Sequence, residues 1–219
     1  MSQIEIIMNQ MKKSVCKIIT YNIGQLKIGT GFFCNIPLFK EKVILPVLIT
    51  DNETINNKDI LPGKEISFSI NYDTQRYFKL KMDNSRKILT NRNMDFTVIE
   101  IKSTDKLDSD SFLEIDNIIL EDSNKILNNI YIYLMHYSLD NVVNYSTGTL
   151  INVCENKLRY IADTELGASG GPILNLSNYK LLGLHCGKFC KNQMRCGTYI
   201  KQIIEKFNDY YLFFDYNYN

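Results

Sequence analysis

The chain has 219 residues, 25 basic against 24 acidic side chains, a formal charge of +1 and an apolar fraction of 45%. The charge balance excludes a basic footprint for nucleic acid or anionic lipid, and the apolar content excludes disorder over most of the length. No apolar run reaches the ~18 residues that span a bilayer. At the start, Ile4, Ile7, Met8 and Met11 recur at helical spacing and predict a short amphipathic helix. The run lacks a signal-peptide pattern, so an intracellular, cytoplasmic protein with all six cysteines (16, 34, 154, 186, 190 and 196) reduced is expected. Short β-rich runs follow at 13–21, 25–35, 43–50, 64–70, 76–82 and 95–102. A second set occupies 129–136, 144–153, 157–162, 171–175, 180–186 and 195–200. Several alternate apolar and polar residues, as half-buried strands do. Between the sets, 103–127 is charged and Asp/Ser-rich, with an apolar patch from Ile115 to Leu120, and reads as a connection.

Two groups of six short strands predict an all-β protein of two six-stranded antiparallel barrels. Residues 199–208 add a short C-terminal helical pattern. The boundaries expected are a helical extension over 1–13, a first barrel over 14–103, a connection over 104–124, a second barrel over 125–200, and a helix with an aromatic tail over 201–219. The tail from 207 holds Phe207, Tyr210, Tyr211, Phe213, Phe214, Tyr216 and Tyr218. It reads either as a strap over a barrel or as a docking segment for another protein.

The strongest local signal is Thr164-Glu-Leu-Gly-Ala-Ser169-Gly-Gly-Pro-Ile-Leu. Such a turn exposes a Ser and can aim the Gly167 and Ser169 N–H groups at one point, as an oxyanion hole requires. Three other runs accompany it in order: Gly29-Thr-Gly-Phe-Phe-Cys-Asn, Leu48-Ile-Thr-Asp-Asn-Glu-Thr-Ile55 and Met94-Asp95-Phe-Thr-Val-Ile-Glu-Ile101. After the Ser turn comes Leu181-Leu-Gly-Leu-His185-Cys-Gly187. Together these runs resemble the trypsin-like (chymotrypsin-fold) serine proteases, in particular the intracellular or bacterial type related to glutamyl endopeptidases, over about residues 14–205.

The resemblance implies Ser169 at the nucleophile position, Asp95 at that of the carboxylate orienting the base, and oxyanion N–H groups on Gly167 and Ser169. It also implies a departure, because Glu53 stands where the family has its catalytic His. The chain has only two His, His136 and His185, and none before position 136. His185 matches a family position that receives a Glu or Gln side chain, with Thr164 beside it; His136 reads as a structural strand-end residue. Losing the base of such a triad lowers kcat by roughly 10⁶, leaving about 10³–10⁴ over water. The expectation is therefore a pseudoprotease that binds a protein or peptide, or serves as a subunit of a larger assembly, with no cofactor and no metal. The rival is an active endopeptidase of Glu/Gln preference with a base other than His. A third reading is a zinc-stabilised module using His185, Cys186, Cys190 and Cys196.

Overall fold

The computed structural model describes residues 2–22, 25–71, 77–119, 127–138, 142–154, 157–189 and 194–218. Helix α1 (Gln3–Lys13) starts on a capping box, with the Ser2 hydroxyl accepting the Glu5 N–H and the Glu5 carboxylate accepting the Ser2 N–H. Of the apolar residues that predict it, Ile7 and Met11 are buried, whereas Ile4 and Met8 face water.

The first half forms one antiparallel sheet of β1 (Val15–Asn22), β2 (Gln25–Leu38), β3 (Val43–Thr50), β4 (Glu65–Ser69), β5 (Phe78–Lys81), β6 (Ile88–Asn91) and β7 (Phe96–Glu100). The spatial order is β5-β4-β1-β2-β3-β7-β6. Strand β6 lies outside the expected set. Strand β2 is long enough to pair with β1 along its first part and with β3 along its second, which curls the sheet into a half-barrel. Side chains alternate between two apolar cores, as the period of 2 requires. Phe33, Ile18, Leu48 and Phe68 fill the inside of the curl. Phe32, Cys34, Val47 and Ile49 belong to a larger core shared with the second half.

The second half is a closed six-stranded barrel of β8 (Ile130–Tyr137), β9 (Val143–Cys154), β10 (Lys157–Ala162), β11 (Pro172–Asn175), β12 (Leu181–Phe189) and β13 (Arg195–Tyr199). The molecule has the chymotrypsin-like two-barrel fold. Helix α2 (Ile200–Tyr218) buries Ile200, Ile203, Ile204, Phe207 and Tyr211, an i, i+3, i+4, i+7 stripe. It is helical through the aromatic tail, well past the predicted end at 208. No helix among the described residues is long and apolar enough to cross a membrane.

The expectation that all six cysteines stay reduced is corrected. Cys16, Cys34, Cys154 and Cys186 are free, but Cys196 is disulfide-bonded, with its partner outside the described residues. The physical reason is the β12–β13 hairpin. Pairing of His185 with Gly197 and of Phe189 with Arg195 folds a Cys-rich stretch back on itself, and proximity is what a disulfide needs.

Candidate active-site cleft

Ser169 sits on the turn between β10 and β11, and this turn is built by its glycines. Gly170 has φ +88, and a Cβ there would meet the Thr30 carbonyl oxygen at 2.0 Å. Any side chain would push the two halves apart. Gly170 N–H donates to the His185 carbonyl at 2.9 Å and Gly171 N–H to the Ala168 carbonyl at 3.0 Å. Thr30 clamps the turn from the first sheet. Its N–H donates to the Ser169 carbonyl at 3.2 Å and its hydroxyl to the Gly167 carbonyl at 2.8 Å. Among the described residues, no acceptor takes the N–H of Gly167 or Ser169.

Asp51, Glu53, Thr164, Gly167, Ser169 and His185 line one cleft of about 520 Å³. Asp95 lines the adjoining cavity together with Glu53. Thus the six residues singled out in the sequence gather in two contiguous hollows where the sheet meets the barrel. The hydrogen-bond partner of Ser169, however, is Asp51 and not Glu53: the Ser169 hydroxyl donates to the Asp51 carboxylate. Glu53 is exposed on the cleft wall. Asp51 closes the end of β3, is 1% exposed, and accepts the Thr54 N–H at 2.7 Å. Burial pushes its pKa up and the Asp95 charge adds to the rise, while the Ser169 and Thr54 hydrogen bonds oppose it. Asp95 has φ 61 and accepts the Asn52 N–H at 3.3 Å. The like-charge neighbour of Asp95 that feels its field in the interior is therefore Asp51.

His185 is buried, and its Nδ1 hydrogen-bonds the Tyr160 hydroxyl. That hydroxyl also reaches the Cys196 carbonyl at 3.3 Å. Burial first, then the charges of Arg195 and His136, hold the His185 pKa down to about 3, so the ring is neutral at pH 7. His136 is buried on β8, with Nε2 at 3.4 Å from Ser146 Oγ. Asp51, Tyr160 and Arg195 were missed in the sequence reading of the site. An Asp followed three residues later by Thr is a local turn pattern that signals the Asp51–Thr54 bond. Nothing local signals the reach to Ser169. Among the described residues, no three His, Cys, Asp or Glu side chains are placed to hold a metal ion. In the 185–196 segment, Cys196 is bonded as a disulfide and Cys190 lies outside the described residues.

Among solved structures, the chain is similar to the crystal structure of the serine endoprotease from Yersinia pestis. The TM-score is 0.64 at 13% sequence identity, over 95% of this chain and 67% of that one. At that identity the likeness concerns the fold. No protein-family model matches the sequence, and no curated protein does.

Proposed function

We propose that the chain is a trypsin-like pseudoprotease of the glutamyl-endopeptidase-like branch, with Glu53 at the His position. It binds a protein or peptide segment in the cleft, alone or as a subunit of a larger assembly, and does not cut it at neutral pH. The observation that carries this reading is the hydrogen bond from the Ser169 hydroxyl to a buried carboxylate, Asp51. Peptide cleavage needs a group that takes the Ser proton and returns it to the leaving amine. An ionised carboxylate accepts weakly and has nothing to return. Both His side chains of the molecule have other hydrogen-bond partners, Tyr160 and Ser146.

The same hydrogen bond favours one second reading. A carboxylate whose pKa is raised by burial is a better base than a solvated one, so Asp51 would serve Ser169 as the base of a hydrolase. Fluorophosphonate labelling and incubation with Glu- and Gln-containing peptides from pH 4 to 8 separate the two. The binding reading expects no cleavage and labelling near the Ser169→Ala background. Glu53→His alone leaves labelling slow, because Asp51 keeps the hydroxyl. Glu53→His with Asp51→Ala raises it at least about tenfold, within what a restored base supplies. Cleavage by the wild-type chain that is lost in both Ser169→Ala and Asp51→Asn would overturn the binding reading in favour of the hydrolase.

A further inference from the structure

Strands β1 and β2 form a hairpin in which Lys17 pairs with Thr30, Ile19 with Ile28 and Tyr21 with Leu26. Alternation places these six side chains on one face of the ribbon. Thr30 identifies that face, because its hydroxyl bonds to the Gly167 carbonyl and the Tyr137 N–H of the barrel. Outward from this joint, Ile28 lines the cleft, Leu26 is 55% exposed and Tyr21 is 75% exposed. All three lie outside the runs that carry the protease resemblance. From the barrel side, Leu166 lines the same cleft one residue before Gly167 and is 78% exposed. Exposed apolar residues scattered singly are ordinary. These form a row that begins in the cleft and leads out of it, with a further leucine on the opposite wall.

The spacing of the row points to its ligand. Along an extended strand, residues two apart recur on one face every ~7 Å, and Thr30, Ile28 and Leu26 follow one another at that interval on β2. A peptide that leaves the Ser169 turn in extended conformation beside β2 presents its own side chains at the same interval. We propose that this row and Leu166 form an apolar track continuing the cleft, which takes the flank of an extended peptide through two apolar side chains two positions apart. Burial of apolar surface supplies the attraction, and the matched interval supplies the selectivity. A second folded protein is a poorer fit, because a stable protein–protein interface engages about 20–30 residues a side and the row is a few residues wide. The track rests on the peptide-binding reading above and names the side chains that the peptide carries beyond the turn.

A phage-displayed library of random linear peptides, selected on the full-length protein, tests it. The selected peptides should share apolar residues at positions i and i+2. Serine at both positions of the best peptide should weaken its binding about tenfold or more in fluorescence polarisation, as the loss of buried apolar side chains does. Leu26→Ser with Leu166→Ser should weaken the parent peptide similarly, and against that protein the serine peptide should lose no more than about twofold further. Both leucines are exposed, so the thermal unfolding midpoint of the variant should match wild type. The selection itself needs no variant, so a misfolded one leaves the test standing. Selected peptides that lack the i, i+2 apolar pair, or a preference for it that survives in the variant, overturn the track and leave peptide binding intact. A dimer in light scattering that the variant dissolves assigns the row to a second copy and overturns the track as well. Failure to select any peptide overturns both readings.

Discussion

Asp51 is a carboxylate held out of water by the end of a strand and hydrogen-bonded to a serine. Its folded-state pKa lies above the ordinary value near 3.8. A raised carboxylate binds its proton more tightly in the folded chain than in the unfolded one. Its contribution is therefore most favourable below the unfolded pKa, and is lost as pH rises through the folded one. At pH 7 the buried charge works against folding. Asp51→Asn removes that charge and keeps hydrogen-bonding atoms for Ser169 and Thr54. It should raise stability at pH 7, because the folded chain disfavours the charged carboxylate that the substitution removes. The gain should fade toward pH 4. Urea unfolding of both proteins at the two pH values checks this. A variant less stable than wild type at pH 7 would mean that the ionised form is what the cleft is built around.

At the scale of elements, β6 and α2 depart most from their predicted forms, and each is held by contacts from distant residues. Arg86 precedes β6 and is buried with Asp105, the side chains being 3% and 8% exposed. Its guanidinium donates to both Asp105 oxygens at 2.7 and 2.9 Å, to the Glu100 carbonyl at 2.6 Å and to the Lys81 carbonyl at 3.1 Å. One side chain thus ties the ends of β5 and β7 to the start of the connection. Arg86→Ala should cost about 3–5 kcal/mol, because it leaves a buried carboxylate without its partner. Arg86→Met with Asp105→Leu should cost much less. Denaturant midpoints of the two variants decide, and equal losses would mean that packing, not charge, holds this corner. Helix α2 is fastened similarly. Asn208 donates to the Pro37 carbonyl and accepts the Phe39 N–H, and Tyr211 lies under Lys87 and donates to Glu41. The tail is thus a helix anchored on the first half of the chain. Its side chains from Phe213 onward lie outside the described residues.

For the whole molecule, docking of the half-barrel on the barrel sets the cleft, and Thr30 is the joint. Its hydroxyl accepts the buried Tyr137 N–H at 2.9 Å while donating to the Gly167 carbonyl. Its carbonyl accepts the Thr50 hydroxyl at 2.7 Å. A second joint has the Met94 carbonyl accepting from Thr198 Oγ1 at 2.6 Å and from Lys157 Nζ at 3.0 Å. Thr30→Val keeps the shape and deletes the hydroxyl, stranding one buried donor and one acceptor. A loss of about 1–3 kcal/mol is expected, with faster amide exchange at Tyr137 and through the Ser169 turn. Unchanged exchange there would place the joint elsewhere.

The all-β fold was legible in the sequence because strand alternation and turn residues are local. Phe32 and Phe33 must face opposite ways whatever else the chain does. The Ser169 turn was legible for the same reason, since Gly170 needs no distant partner to announce a positive φ. The C-terminal helix was legible from its apolar spacing only as far as the pattern stayed clean, and the run of aromatics after Phe207 obscured its continuation. What only the tertiary structure decided are the pairings. Asp51 and Ser169 are 118 residues apart, and the sequence points instead to Glu53, two positions further along the same loop. Which one turns inward depends on how the sheet docks against the barrel, an outcome of packing between two cores that no local period encodes. The same holds for Arg195, whose place beside Thr164 and His185 comes from closure of the barrel through β10 and β13.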